Sequence, residues 1–216
     1  QKITLPRGIV LLVATITTLA FLTEGAMLDW GGVYLLEVRG LPENTAALGF
    51  SYFSAAMLLM RLLGDSLTVR FGAQKIVYGG VTISIISLAA IIFSPYLPLV
   101  WAGFFGCGIG AANIIPCFYS NLGKQNDMPL AAAVAATSIF GYFGLLAGPA
   151  ALGFIARLTS LDVSFMTLMA CYAAIIFLAR RVFSFPRSLF PLETVRNYEP
   201  AWTGTPCRAH RVSHLR

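Results

Sequence analysis

Six long apolar runs alternate with short polar segments along the chain, at about residues 8–36, 45–63, 76–93, 99–119, 129–156 and 163–181. Each approaches or exceeds the ~20 residues that a helix needs to cross a hydrocarbon core. The segments between them read as loops. They are the stretch after Glu37, a polar loop from Gly64 to Lys75, the turn Ser94-Pro95-Tyr96-Leu97-Pro98, the polar run Asn121 to Met128, and Arg157 to Asp162. None of the runs shows the sustained period-two alternation of a membrane barrel strand, so all six are expected to be helices. The pattern predicts an all-α membrane protein with a six-helix domain over residues 1–183. After Phe183 four prolines and five arginines replace the apolar period. Residues 184–216 therefore read as a disordered cytoplasmic tail, with binding of its arginines to anionic lipid as the alternative.

Composition agrees with that reading. Charged residues are 11% of the chain, against about 25% in soluble domains, too few to cover a water-exposed surface. The net charge of +6 is no nucleic-acid footprint, because the basic residues fall between apolar runs and in the tail. Six crossings put both termini on one side. That side holds Lys2, Arg7, Arg61, Arg70, Lys75, Lys124, Arg180, Arg181 and the five arginines of the tail, thirteen in all. The other side holds only Arg39 and Arg157. Positive charge marks the cytoplasmic side, so both ends are expected there. Cys107, Cys117 and Cys171 lie inside apolar runs and read as small buried hydrophobes. Both histidines, His210 and His214, are in the tail, so neither a metal nor a cofactor is expected. The chain opens on Gln1 rather than Met and enters its first apolar run by Gly8. No secretory signal is expected, and the sequence is expected to continue from a longer amino-terminal part.

Polar residues inside the runs are the candidates for chemistry. Glu24 and Asp29 sit in the first run, where a charged side chain at a helix centre costs roughly 2.5–3.5 kcal/mol. At 100° per residue they point about 140° apart, so a straight helix gives them different faces. Gly31 nearly shares the face of Glu24, and Gly31-Gly32 is a place where the helix can open. Glu24 is the strongest candidate for substrate binding or proton coupling. Its structural alternative is a hydrogen bond to a neighbouring helix, with Asn113 a candidate partner. Trp30 and Tyr34 read as interface anchors. In the fourth run Asn113 is a buried amide suited either to a polar solute or to a helix–helix hydrogen bond. Gly108 there, and Gly148-Pro149 in the fifth run, read as packing and bending positions.

The segment Arg61-Leu62-Leu63-Gly64-Asp65-Ser66-Leu67-Thr68-Val69-Arg70-Phe71-Gly72-Ala73-Gln74-Lys75 resembles a cytoplasmic loop motif of the major facilitator superfamily, G-x-L-x-D-R-x-G-R-K, in the copy between helices 8 and 9. Leu67, Arg70 and Gly72 match in register. Asp65 stands where the first Gly belongs, Gly64 is one place early, and Val69 replaces the acid before the Arg. Glu24-Gly25-Ala26-x-x-Asp29-Trp30 and Gly148-Pro149 resemble helices 7 and 11 of bacterial permeases related to sugar–proton symporters. The resemblance covers about residues 8–183. It implies the carboxy-terminal half of the superfamily fold, built as a 3+3 inverted repeat, with Gly64, Asp65, Arg70 and Gly72 in a cytoplasmic gating loop. It also implies a missing amino-terminal six-helix half as partner, a small polar solute moved by alternating access with proton coupling as an option, and a bacterial inner membrane. Two other classes remain in view: a truncated, non-transporting assembly module, and a membrane-embedded lipid enzyme. The enzyme is disfavoured because no crossing contains His.

Overall fold

Prolines and glycines, more than polar residues, decide where the helices stop. The computed structural model describes residues 6–123, 125 and 128–184. They form α1 (Gly8–Glu37), α2 (Glu43–Ala46), α3 (Leu48–Phe71), α4 (Ala73–Phe93), α5 (Leu97–Ala111), α6 (Ile114–Leu122), α7 (Leu130–Leu158) and α8 (Leu161–Phe183). With α2–α3 and α5–α6 each counted as one crossing, six helices are long and apolar enough to span a membrane. No strand occurs among the described residues. Of the expected tail, all but Ser184 lies outside them.

Three expectations need correction. The helix of the second run does not end at residue 63. Nothing from Gly64 to Arg70 breaks a helix, and α3 runs on to Phe71, turning into α4 only at Gly72 with φ +84°. A left-handed backbone there suits Gly, which has no Cβ to clash. The fourth crossing is broken, with Ala112 and Asn113 between α5 and α6. Pro116 accounts for this, because a prolyl ring removes the hydrogen bond to the carbonyl four residues earlier and crowds it, and that residue is Ala112. Finally, α1 is continuous through Gly31-Gly32. α7 is likewise continuous through Gly148-Pro149, and the Pro149 carbonyl accepts a hydrogen bond from Trp30 Nε1 at 2.9 Å. Trp30 thus ties α1 to α7 and is no simple interface anchor.

The packing repeats itself. α1 lies along α7, as α5 lies along α3; α4 packs on α5, as α8 packs on α1; and α4 meets α8. Exchanging each crossing for the one three later maps this set of neighbours onto itself, which is the pattern of a 3+3 repeat. Backbones come very close at two equivalent crossings. A Cβ on Gly144 would collide with the Thr18 carbonyl and one on Gly148 would lie 2.7 Å from that of Leu22, while one on Gly108 would collide with the Phe53 carbonyl. Association in lipid depends on such close approach, because lipid chains are as apolar as the side chains they meet. Exposed Leu59, Leu62 and Leu63 on α3, with Ile139, Phe143 and Leu146 on α7, form the outward apolar surface.

Candidate functional site

Glu24 is one of the few buried polar residues of α1, 8% exposed. Arg61 of α3 meets it: Nη2 donates to Glu24 Oε1 at 3.0 Å. This ion pair, unique among the described residues, is lopsided, with 49% of the Arg61 side chain exposed against 11% for Glu24. At a rise of 1.5 Å per residue, Glu24 lies ~24 Å along α1 from Gly8 and ~20 Å from Glu37, and Arg61 lies ~15 Å along α3 from Phe71. Both therefore lie well inside their helices, at least two turns from either end. An open, half-exposed guanidinium at that position belongs against protein or a water-filled space, not against lipid chains. Arg61, expected among the cytoplasmic flanking charges, pairs with Glu24 from inside α3. Twelve flanking basic residues against two remain, so the charge asymmetry survives its removal.

Asn113 is not the partner of Glu24. Its Nδ2 donates to the Met60 carbonyl at 3.1 Å, and its Oδ1 sits where a Cβ of residue 64 would be, so a side chain there would displace the amide. The amide thus spans the break between α5 and α6 and holds it against α3, one residue from Arg61. That is the helix–helix role the sequence left open. The surroundings of Arg61 on α3 are polar as well. Ser54, Arg61, Asp65 and Thr68, spaced by seven, four and three residues, fall within about 60° of helix arc. Leu59 and Leu63 occupy the far side. Thr68 Oγ1 lies 3.8 Å from Cys117 Sγ of α6. A polar stripe and an apolar face on one helix are what a wall between a water path and lipid requires.

Two of three similar proteins are transporters by name. Over 160 residues the chain is 41% identical to an uncharacterized MFS-type transporter of Yersinia pestis, covering 74% of this chain and 42% of that protein. Over 172 residues it is 36% identical to an uncharacterized transporter of Sinorhizobium fredii, covering 80% and 45%. A 26% match over 160 residues to the membrane protein MosC of Rhizobium meliloti covers 74% and 39%. The chain belongs to the major facilitator superfamily. No family model matches it. It spans less than half the length of these curated relatives, and its six crossings are one half of the superfamily fold, in an integral membrane protein.

Within this superfamily half, the residues expected in a gating loop are mostly helical. Gly64 is buried in α3 under Asn113, Asp65 is exposed, and Arg70 lies over the Phe71 ring at 5.5 Å. Only Gly72 is in a turn. Asp29 is exposed, away from the Glu24 pair, as their angular separation requires. The far end of α1 carries a cluster the sequence reading did not assemble. Tyr34, fully buried, donates to Asp162 Oδ1 of α8 at 2.6 Å. Arg39 donates to the carbonyls of Ile91 and Ile92, capping α4. Beside them is a shallow cavity of about 520 Å³ whose lining includes Trp30, Glu37, Arg157 and Asp162. These contacts join the C-terminal ends of α1 and α4 and the N-terminal end of α8; among the described residues they bring no polar groups together around an enclosed space.

Proposed function

We propose that the chain is the carboxy-terminal half of a secondary active transporter, and that Glu24, Arg61 and the polar stripe of α3 line its solute path. The observation that carries this is the pairing of half-exposed Arg61 with buried Glu24, both well inside helices long and apolar enough to span a membrane. Transporters of this construction hold solute near the bilayer midplane between two halves and alternate access by rocking one against the other. An amino-terminal six-helix half then covers the face that bears Arg61. The solute is small and polar, and Glu24 is the carboxyl available for proton coupling. The turn at Gly72, with Asp65 and Arg70 on the last turns of α3, is the inner hinge between α3 and α4. Asp29 stands clear of the path.

Water access tests this reading in the full-length transporter without native cysteines. Leu58 is on the flank of the polar stripe and Leu63 lies about 140° away on the same exposed helix. Leu58→Cys should react with a hydrophilic thiol reagent and Leu63→Cys should stay inert. Reaction at 63 with silence at 58 would place lipid where the path is proposed.

The remaining asymmetry of basic residues supports cytoplasmic termini and a bacterial inner membrane. Cysteines at residue 40 or 160 should label from outside intact cells, and one at residue 74, beside the Gly72 turn, should not. The opposite pattern would invert the topology.

A further inference from the structure

Resting on the solute path just proposed, we infer that Arg61 is the docking group for a carboxylate on the transported solute, and that Glu24 occupies that place when the solute is absent. A guanidinium offers five N–H donors in a planar fork that matches a carboxylate. Among the described residues Arg61 uses only Nη2, on a single oxygen of Glu24. Half of its side chain is open, so donors remain for a second carboxylate to engage. Glu24 is largely covered and presents little to an incoming group. The exposed member of the pair, the one a solute meets first, is therefore the cation.

Two neighbours refine the class. The break in the fourth crossing starts α6 beside Met60, through Asn113, so the positive end of a helix dipole stands at the level of Arg61. Asp65, one turn further along α3, is exposed and makes no ion pair among the described residues. Its charge opposes a second negative group on the solute. The site therefore suits a monocarboxylate and discriminates against a dicarboxylate.

Competition for one fork gives a prediction whose sign is unusual. Glu24→Gln removes the resident anion while keeping an amide oxygen of the same shape, so carboxylate binding should tighten several-fold. Arg61→Lys keeps the charge but loses the planar fork, and binding should weaken about tenfold or more. The probes are glucuronate, gluconate and lactate, with glucose and glycerol as neutral counterparts, glucosamine as the amine and malate as the dicarboxylate. The readout is the shift each gives at millimolar concentration in the thermal denaturation midpoint of the purified full-length transporter. Stabilisation by a monocarboxylate above its neutral counterpart, strengthened in Glu24→Gln, is the expected result. Silence of all three monocarboxylates, stabilisation by the neutral or amine probes alone, or weaker binding in Glu24→Gln would overturn it. A reactive Leu58→Cys with those outcomes would leave the solute path standing and remove only the carboxylate. An inert Leu58→Cys would remove both.

Discussion

Arg61→Ala should destabilise the full-length transporter by about 3 kcal/mol, the low end of the range for removing one partner of a buried ion pair, whereas Glu24→Gln should cost less than about 1 kcal/mol. The asymmetry follows from exposure. Without Arg61, Glu24 is left 11% exposed with no cation to meet it. Without the Glu24 charge, Arg61 keeps half its side chain open, and an amide oxygen still accepts its N–H. The half-exposure of Arg61 argues against the top of the range, because solvent already screens part of the interaction. Denaturation midpoints of the purified variants in one detergent check the order. Equal effects from the two substitutions would mean that the pair is a surface bridge of little consequence.

A second large effect should come from adding a methyl group where backbones touch. At Gly144 a Cβ would collide with the carbonyl of Thr18, and at Gly108 with that of Phe53. A backbone oxygen cannot swing aside as a side chain can, so α1 and α7, or α3 and α5, must move apart. Forced overpacking of this kind costs typically about 1–3 kcal/mol, and the loss of close helix contact in lipid adds to it. Gly144→Ala and Gly108→Ala should therefore each lower the denaturation midpoint by several degrees. Gly79→Ala is the matched control, because nothing lies within 4 Å of its Cβ position and a helical Gly→Ala change is favourable by roughly 0.5–1 kcal/mol. A normal midpoint in Gly144→Ala would contradict the tight crossing of α1 and α7.

Much of this architecture was legible in the sequence, for physical reasons that also mark where legibility ended. Burying backbone in lipid forces each spanning segment to be helical and apolar, so six runs became six crossings with ends off by a few residues. The largest boundary error, at the end of α3, came from treating polarity as a break. Gly64 to Arg70 is polar but contains nothing that prevents a helix, and the reversal waits for Gly72. The break before α6 was written in Pro116, four residues after Ala112. Glu24 stood out as an acid inside an apolar run, and the structure buries it while leaving Asp29, about 140° around the helix, exposed. The partner was missed: Arg61 was grouped with flanking charges, although the spacing of Ser54, Arg61, Asp65 and Thr68 places it on a polar stripe of a helix. What one sequence cannot supply is the register of α1 against α3, because that is fixed by glycine contacts with helices distant in the chain. The pairing of Tyr34 with Asp162 was hidden for the same reason.

The central claim is that Glu24 and Arg61 act as one unit in the path, and a double-mutant cycle tests it most directly. Glu24→Gln, Arg61→Ala and the combined variant are compared with the parent by denaturation midpoint in the full-length transporter. If the pair is as described, the damage done by Arg61→Ala comes mainly from the stranded carboxylate, and removing its charge should restore most of the loss. The predicted coupling is about 2 kcal/mol, with the double variant more stable than Arg61→Ala alone. Additivity within about 0.5 kcal/mol, as found for distant and independent sites, would mean that the two residues do not sense each other, and the account of the site would fail.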